Sequence, residues 1–315
     1  MENNYVFTVL TPTFKGGKNL YAVYESLLGQ TFKNFEWIVV LDGYDSITVS
    51  TIEQIVKENK FTVKWFIIEH NHKKAAVNRG VSEAGGEFIL IADDDDTFKY
   101  DALENLYSAW KNIPASDRND YVGVTGLCEY EDGSIVGDYF PSDIYDATTI
   151  ECSLIKRITG EKWGFQRTEI MKKYPFFEDA EGYIGESTVW HEIGKRYKTR
   201  YINKVLRTYN QTEGSIMREP YTRNKVLNNC QAYVYGYGYS CGQIGVPVFY
   251  NPRFYAACTT NYTRFFLHSV KFGKYKSWMN PFKSGHLLSF SFVIGLVPGF
   301  LFFLNDLHQF NKARD

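Results

Sequence analysis

The sequence predicts an α/β fold in which a mixed sheet is flanked by helices and followed by a helical C-terminal region. In the first hundred residues, short apolar runs alternate with segments of helical period. Beyond about residue 210, helical patterns are interrupted by the Gly/Tyr-rich stretch YVYGYGYSCGQIG. The length of 315 residues and the hydrophobic share of 44% suffice for a large core and about two domains.

Strands and helices are predicted in alternation up to residue 92. The strands are four apolar runs: Tyr5–Leu10, Phe35–Leu41, Thr62–Ile68 and Glu87–Ala92. The helices between them are marked by three sets of residues: Leu20, Val23, Tyr24, Leu27 and Leu28; Ile52, Ile55 and Val56; and the small-residue segment Ala75–Ala84. This order is typical of βαβ units with a parallel sheet, whose ligands bind beyond the carboxyl ends of the strands.

The pattern changes after residue 100. A helix is predicted from Asp101, with Glu104 three residues later as in a capping box. Asp132-Gly133, between apolar runs at 121–130 and 134–139, predicts a β-hairpin, so we expect the sheet to become mixed here. Val189 and Ile193 lie on the apolar face of another helix, over 186–198.

Charge and cysteine usage exclude several classes of protein. The 35 basic and 36 acidic residues leave a net charge of −1, so the chain lacks the overall basic character of a nucleic-acid-binding protein. Five widely spaced cysteines without a CxxC pair indicate neither a zinc site nor a disulfide framework, and they favour a reducing compartment. The N-terminus lacks the pattern of a secretory signal.

The sharpest chemical signal is the run Asp93-Asp94-Asp95-Asp96 after the fourth strand, at the edge where Thr11-Pro12-Thr13 and Asp42 end the first two strands. If strand geometry continues, Asp93 and Asp95 share one side, which suits Mg²⁺ or Mn²⁺ with open positions for phosphate oxygens. A solvated acidic loop is the alternative. A calcium-binding EF-hand is rejected, because Phe98 stands where that loop needs glycine.

Two common nucleotide signatures are absent from the sequence. It contains neither a GxxxxGK[ST] loop nor a GxGxxG motif after the first strand. The turn TPTFKGGKN offers hydroxyls and two lysines instead.

Three segments together resemble the bacterial family 2 glycosyltransferases of GT-A fold. They are FTVLTPTFKGGKNLYAVYESLLGQTFKNFEWIVVLDG, NHKKAAVNRGVSEAGGEFILIADDDDTF and GESTVWHEIGKRYKTRYINKVLRTY, within about residues 5–210. The resemblance implies inverting transfer of a sugar from a nucleotide-sugar, most often a UDP-sugar, on a Rossmann-like nucleotide-binding sheet. It also implies one domain over 1–210, with a nucleotide-sugar half over about 1–100 and an acceptor half over about 101–210, before a C-terminal region at 211–315.

The resemblance assigns roles residue by residue. Asp93-Asp94-Asp95 matches the D-x-D motif, so Asp95, with Asp93, is the expected ligand of Mn²⁺ or Mg²⁺, and Asp93 and Asp94 face the ribose and sugar. Asp42 matches the aspartate that binds the base. The remaining nucleotide-sugar contacts fall in the first loop and in the segment that closes over the nucleotide: Thr11, Thr13, Lys15, His72, Lys74 and Asn78.

Two positions depart from the family pattern. A single aspartate, Asp42, replaces the usual pair, and Glu186-Ser187 replaces the Glu-Asp pair whose aspartate usually serves as the base. Attack by an acceptor hydroxyl still needs a proton acceptor, so Glu186 is the predicted catalytic base, with Asp179 and Glu181 in reserve. A first-turn glutamate favoured by the helix dipole is the alternative interpretation of Glu186. Trp163 is a candidate for stacking on an acceptor sugar, or a core residue.

The C-terminal region raises the question of a membrane. Residues 284–304 carry no Asp, Glu, Lys or Arg, and lysines precede and follow them. This length approaches the roughly 20 residues that span a bilayer, although Pro298 could divide the segment into two interfacial halves. A buried hairpin or an oligomer contact is the alternative. We expect association with the inner face of the cell membrane and a glycan or lipid-linked acceptor, without nucleic acid as a partner.

Two other functions stay open on the sequence alone. A sugar-nucleotide pyrophosphorylase can share this kind of sheet. Such an enzyme needs a Gly-rich loop with a basic residue after the first strand, and TPTFKGGKN is a poor match to that loop. A non-catalytic sugar-nucleotide-binding protein is suggested by Ser187 at the position of the usual base.

Overall fold

The computed structural model describes residues 5–209, 222–279 and 290–312. These residues form two compact units: the first lies within Met1–Phe176 and Ile193–Ser215, and the second lies within Phe177–Glu192 and Ile216–Asp315. The α/β class predicted from the sequence is confirmed. The domain boundary at about residue 210 stays a prediction, and the segment Phe177–Glu192 groups with the C-terminal helices.

A nine-stranded mixed sheet forms the centre of the first unit. Its strands are β1 (Tyr5–Thr13), β2 (Phe35–Asp42), β3 (Val63–Ile68), β4 (Gly86–Ile91), β5 (Thr97–Phe98), β6 (Tyr121–Glu129), β7 (Ile144–Thr148), β8 (Lys162–Arg167) and β9 (Lys198–Thr208). They follow the order β3-β2-β1-β4-β8-β6-β9-β5, and β7 pairs with β9. The neighbours β3, β2, β1 and β4 are parallel, and β8 is antiparallel to both β4 and β6.

Helices connect these strands and make up most of the second unit. In the described residues they are α1 (Leu20–Leu28), α2 (Ser46–Glu58), α3 (His72–Glu83), α4 (Ala102–Lys111), α5 (Thr168–Met171), α6 (Ser187–Gly194), α7 (Arg223–Gly242), α8 (Pro252–Lys271) and α9 (Phe290–Lys312). The predicted capping box of α4 is wrong in detail. Asp101 makes no side-chain capping bond, and the Glu104 carboxylate accepts a hydrogen bond from the Thr31 hydroxyl at 2.6 Å.

The register of the parallel strands brings their carboxyl ends together. Thr13 at the end of β1 lies opposite Leu41 of β2, and Leu10 of β1 lies opposite Ile91 at the end of β4. Every residue of β2 is buried, as expected for a parallel strand covered on both faces. The predicted convergence of polar groups at this edge is therefore confirmed.

The predicted hairpin at Asp132-Gly133 forms only in part. Gly133 adopts a left-handed φ of 81°, and the Ser134 amide donates to the Asp132 carboxylate at 2.9 Å. The returning arm is a single antiparallel bridge, between Glu129 and Ile135, rather than a strand over 134–139. Instead, β8 and β9 flank β6, and β8 supplies the antiparallel pairing that makes the sheet mixed.

In the second unit, α8 and α9 run parallel and approach closely. A Cβ on Gly295 would lie 2.3 Å from the Thr259 hydroxyl, and one on Gly299 would lie 2.5 Å from the Thr260 carbonyl oxygen. Helix α9 continues through Pro298, so the predicted division there is wrong. Residues 284–289 of the predicted apolar segment lie outside the described residues. Among the helices that the structure describes, none combines the length and apolar character needed to cross a bilayer.

Candidate active site

The four aspartates after β4 form a turn rather than a continued strand. The Asp96 amide donates to the Asp93 carbonyl oxygen at 3.1 Å, and the Asp96 carboxylate accepts the Asp93 amide at 3.0 Å. The expected alternation of carboxylates along a strand is therefore wrong beyond Ile91. Asp96, which is 2% exposed, closes the turn from inside, and the other three carboxylates are half-buried.

A buried arginine from the far part of the sheet holds this turn. The Arg207 guanidinium, on β9, donates to the Asp96 carboxylate at 2.8 Å, and both side chains are almost fully buried. Burial raises the pKa of Asp96 to about 7, although Arg207 opposes the rise. Sequence reasoning missed Arg207, which directly follows the apolar pair Val205-Leu206 in the segment KVLRTY.

Asp94 is held against the loop that follows β1. The Thr13 hydroxyl donates to the Asp94 carboxylate at 2.5 Å. Burial raises the pKa of Asp94 to about 6, and Asp95 and Asp93 add to the rise, while the Thr13 hydrogen bond opposes it. Gly16 lies so near that a Cβ there would be 1.9 Å from a carboxylate oxygen of Asp94. The first loop and the acidic turn are thus one assembly.

This contact predicts a large effect of a methyl group at position 16. In Gly16→Ala, the added Cβ must displace Asp94 or the Thr13 hydroxyl, 2.5 Å away, so the affinity for UDP, the nucleotide expected from the sequence resemblance, should fall at least about tenfold and stability by about 1–3 kcal/mol. Calorimetric titration with UDP and thermal unfolding measure both. Gly29→Ala is the matched control, because its Cβ would meet its nearest atom at an ordinary 3.5 Å. Equal UDP affinity in both variants would contradict this account of Gly16.

Asp93 is paired with a lysine from the start of α3. The Lys73 ammonium contacts the Asp93 carboxylate. Burial would raise the pKa of Asp93, but Lys73 and Arg207 keep that pKa below its ordinary value. Asp93 is therefore an ionised carboxylate with an existing cationic partner, beside Asp94 and Asp95 in the same turn.

The acidic turn offers carboxylate oxygens, the ligand type that Mg²⁺ and Mn²⁺ prefer. Across the described residues, no group of three or more His, Cys, Asp and Glu side chains is arranged to hold a metal ion. Mg²⁺ and Mn²⁺ prefer oxygen ligands, and Mg²⁺ is commonly bound by one or two carboxylates together with substrate phosphates. The adjacent carboxylates of Asp93, Asp94 and Asp95 supply this chemistry.

Asp42 ends β2 as predicted, but its oxygens already have protein partners. One carboxylate oxygen accepts the Asn71 amide at 2.7 Å, and the other lies 2.8 Å from His70 Nδ1. Asp42 thus fixes the segment that leads into α3. Its contact with a base stays a prediction.

Three rings lie beside Asp42 and form what we call the ring cluster: Phe14, His70 and His72. The His70 ring centroid is 4.7 Å from that of Phe14 and 4.8 Å from that of His72. Burial lowers the pKa of His72, as do the neighbouring His70 and Lys74. Phe14 is 54% exposed, so its ring is accessible to a ligand. Sequence reasoning selected His72 but missed Phe14 and His70. The available signals were that Phe14 directly follows Thr11-Pro12-Thr13 and that His70 lies two positions before His72.

Lys15 lies at the exposed tip of the first loop. It adopts a left-handed φ of 58°, and its ammonium lies 5.1 Å from the centre of the Phe14 ring. Its positive charge helps to lower the pKa of Asp45, after the larger effect of the hydrogen bonds from Thr48. An exposed cation here can meet an anionic ligand.

Three other predicted contact residues are buried or half-buried. The Thr11 hydroxyl, fully buried, accepts the Trp37 indole N–H at 2.9 Å. Lys74 is 2% exposed. The Asn78 side-chain amide both donates to and accepts from the Phe176 backbone at 2.8 Å. Their contact with a nucleotide stays a prediction. The printed bonds of Thr11 and Asn78 are to other parts of the protein, where they hold neighbouring segments together.

Glu186, the predicted base, belongs to the second unit. Its carbonyl oxygen accepts the Val189 and Trp190 amides at 3.0 and 3.1 Å, so it immediately precedes α6. Of the reserve candidates, Glu181 is bound by the Lys274 ammonium at 2.6 Å, and Asp179 is exposed.

Trp163 is a core residue, as the alternative interpretation proposed. It is 4% exposed and stacks on Phe98 with a ring-centroid separation of 4.5 Å. Its indole N–H donates to the Ile91 carbonyl oxygen at 2.8 Å. Trp163 therefore fixes the end of β4, directly before the acidic turn.

Comparisons with known proteins agree with this architecture. Residues 8–138 match the family described as glycosyl transferase family 2. The chain is 27% identical over 208 residues to the GalNAc(5)-diNAcBac-PP-undecaprenol beta-1,3-glucosyltransferase of Campylobacter jejuni, a match that covers 64% of this chain and 63% of that relative. The chain thus spans less than two thirds of that relative. It is also 27% identical to the glycosyltransferase GlyG of Streptococcus pneumoniae, over 68% of this chain and 73% of GlyG.

Solved structures show the same fold. S. aureus TarS in complex with UDP-GlcNAc has a TM-score of 0.55 at 17% identity, covering 95% of this chain and 81% of that one. Mannosyltransferase PcManGT from Pyrobaculum calidifontis, in complex with GDP-Man and Mn²⁺, has a TM-score of 0.56 at 13% identity, covering 99% and 88%. Residues 8–138 therefore carry the sequence pattern of glycosyl transferase family 2, and the sheet order and these structural neighbours show a GT-A fold.

Proposed function

We propose that this chain transfers a sugar, with inversion, from a UDP-sugar to a hydroxyl of a glycan or lipid-linked acceptor, with Mn²⁺ or Mg²⁺ as cofactor. The observation that carries the proposal is the hydrogen bond between Thr13 and Asp94, which joins the first loop to the acidic turn at the carboxyl ends of β1 and β4. TarS has been solved with UDP-GlcNAc and UDP, which supports uridine nucleotides as donors here.

In this proposal the donor lies along the carboxyl edge of the parallel strands. The nucleobase of the donor lies at Asp42 and the ring cluster, whose exposed Phe14 suits stacking on an aromatic ring. The diphosphate and sugar lie at the acidic turn, with Lys15 near the phosphates. Hydrogen bonds of Asp42, Arg207 and Trp163 hold the protein groups of this edge in place before the donor binds, so that little reorganisation accompanies binding.

Asp95, with Asp93, would hold the cation. When bound, a divalent ion neutralises charge on the departing nucleotide diphosphate. The chain's own contribution is to present adjacent carboxylates whose turn is closed by Asp96. Glu186 would accept the proton of the attacking hydroxyl, and inversion follows from attack on the face opposite the leaving group.

Removal of one carboxylate charge tests the metal assignment. In Asp95→Asn the shape is kept and the charge is lost, so Mn²⁺-dependent UDP affinity should fall at least about 30-fold while the melting temperature stays near that of the wild type. Titration calorimetry with UDP, with Mn²⁺ and with EDTA, measures this. Asp117→Asn, in an exposed position before β6, is the control for an aspartate change elsewhere. Unchanged Mn²⁺-dependent affinity in Asp95→Asn would contradict the assignment.

The acceptor and the place of reaction form a second part of the proposal. The name of the Campylobacter relative contains an undecaprenyl diphosphate acceptor, and a lipid-linked acceptor here would bring the enzyme to the inner face of the cell membrane. The five cysteines are all free and buried, which supports a cytoplasmic location.

Product analysis separates this function from the two alternatives. Release of UDP with transfer of sugar to an acceptor supports it. Formation of a nucleoside triphosphate from UDP-sugar and pyrophosphate would indicate a pyrophosphorylase, which the family match does not favour. UDP-sugar binding without turnover would indicate a binding protein.

A further inference from the structure

Charge is unevenly divided along this nearly neutral chain. Residues 222–312 contain nine lysines and arginines but only one acidic residue, Asp306. Asp306 is buried, and it accepts two hydrogen bonds from Arg264, each 2.6 Å long, and lies 2.8 Å from His268 Nε2. In the described parts of this region, 222–279 and 290–312, no carboxylate is therefore exposed. The charged side chains that α7, α8 and α9 themselves expose are therefore basic, and Lys274, after α8, is paired with Glu181 of the preceding acidic segment.

Helix α9 also presents an apolar surface to solvent. Gly295, Gly299 and Phe303 lie on its buried side, where the glycines approach α8 and the Phe303 ring lies 4.8 Å from that of His268. The opposite side is exposed, with Val297 at 67% and Leu301 at 58%. We call the exposed residues of this part of the helix the apolar stripe: Leu296, Val297, Phe300, Leu301, Phe302 and Leu304.

The apolar stripe ends where the polar part of α9 begins. From residue 305 onward the exposed positions are Asn305, His308, Gln309, Asn311 and Lys312. Because Thr259 and His268 of α8 meet Gly295 and Asp306 of α9 in the same order, the two helices are parallel, and Lys271 ends α8 at the same end of the pair as Lys312. Nine residues of helix rise only about 13 Å, so the stripe can enter one leaflet but not cross a bilayer.

We propose that the apolar stripe inserts into one leaflet of an anionic lipid bilayer, while the basic end of the α8–α9 pair, with Lys271 and Lys312, contacts the headgroups. An apolar helix face next to lysines is the pattern of interfacial membrane helices. A second copy of this chain is a poorer occupant, because it would bring another cationic surface of the same sign against this one. This proposal rests on the membrane part of the proposed function and assigns its surface and lipid class.

The apolar stripe and the two lysines of the basic end are tested separately, each in the whole chain. The probes are phosphatidylcholine vesicles with and without phosphatidylglycerol, and co-sedimentation measures partitioning. The wild type should prefer the phosphatidylglycerol vesicles, and added salt should reduce this preference. Lys271→Glu/Lys312→Glu should lower partitioning onto phosphatidylglycerol vesicles at least about 25-fold, because each cation near an anionic surface contributes roughly fivefold. Val297→Ser/Leu301→Ser should lower partitioning onto both kinds of vesicle about tenfold.

Matched controls come from the first unit. Ile144→Ser removes an apolar side chain that is 53% exposed, and Lys57→Glu reverses an exposed charge on α2; both should partition like the wild type. UDP titration of every variant tests the donor site independently, so that loss of UDP binding with intact partitioning would contradict the proposed function and not this surface. Wild-type partitioning of both double variants would overturn the proposal. So would a dimer that fails to bind vesicles and that dissociates in Val297→Ser/Leu301→Ser.

Discussion

Arg207→Met should destabilise the first unit by about 3–5 kcal/mol, because it leaves the Asp96 carboxylate buried without its counter-charge. Asp96 is 2% exposed and bonded to the Arg207 guanidinium at 2.8 Å. Asp96→Asn should also be costly, since it leaves the buried guanidinium without a carboxylate. The double variant removes both charges and keeps an oxygen that can accept the Asp93 amide, so it should be more stable than either single variant. Urea unfolding of the four proteins measures this coupling.

A second ion pair on the same strand provides the control. Arg200 donates to both oxygens of Asp146 at 2.9 and 2.7 Å, but the Asp146 side chain is 28% exposed. Water can solvate that carboxylate after Arg200→Met, so the loss of stability should be smaller. If Arg207→Met and Arg200→Met cost the same, or if the two changes at the Arg207–Asp96 pair are additive, burial of this pair is not what fixes the acidic turn.

The Arg207–Asp96 pair shows what the sequence alone could and could not predict. Thr13, Asp42 and Asp93 were placed at one edge of the sheet because parallel strands with buried cores have a simple pattern and a fixed ligand edge. The partners of those residues were not predictable. Arg207 lies 111 positions from Asp96, and such long-range pairing leaves no periodic signal in either segment.

The sequence pattern is silent where side-chain bonding replaces a regular backbone. Strand geometry does not continue through Asp95, because β4 ends at Ile91 and Asp96 folds back on the Asp93 amide. The role of Asn78 that the family resemblance implies stays a prediction, but the pairing of its amide with the Phe176 backbone, 98 positions away, has no signal in the sequence. In both cases a polar side chain satisfies a backbone group, which a hydrophobic pattern does not record.

Glu186→Gln should lower the rate of sugar transfer by a factor on the order of 10²–10⁴, the contribution of a positioned general base. The affinity for UDP and Mn²⁺ should stay near that of the wild type, because in this proposal Glu186 acts on the acceptor and not on the diphosphate. The change keeps the size of the side chain and leaves the backbone bonds from Val189 and Trp190 intact, so α6 should still begin at Ser187. Steady-state UDP release with acceptor, together with UDP titration, separates the two effects.

Three further variants identify the base if it is another residue. Ser187→Ala should cost far less than Glu186→Gln, because a neutral hydroxyl is a poor proton acceptor at physiological pH. Glu181→Gln should mainly weaken the contact with Lys274, and Asp179→Asn changes an exposed carboxylate of the same segment. If Glu186→Gln transfers sugar at nearly the wild-type rate while Asp179→Asn or Glu181→Gln is inactive, the inactive position carries the base. Full activity in all three carboxylate variants would mean that none of these side chains accepts the proton, and the role proposed for Glu186 would be wrong.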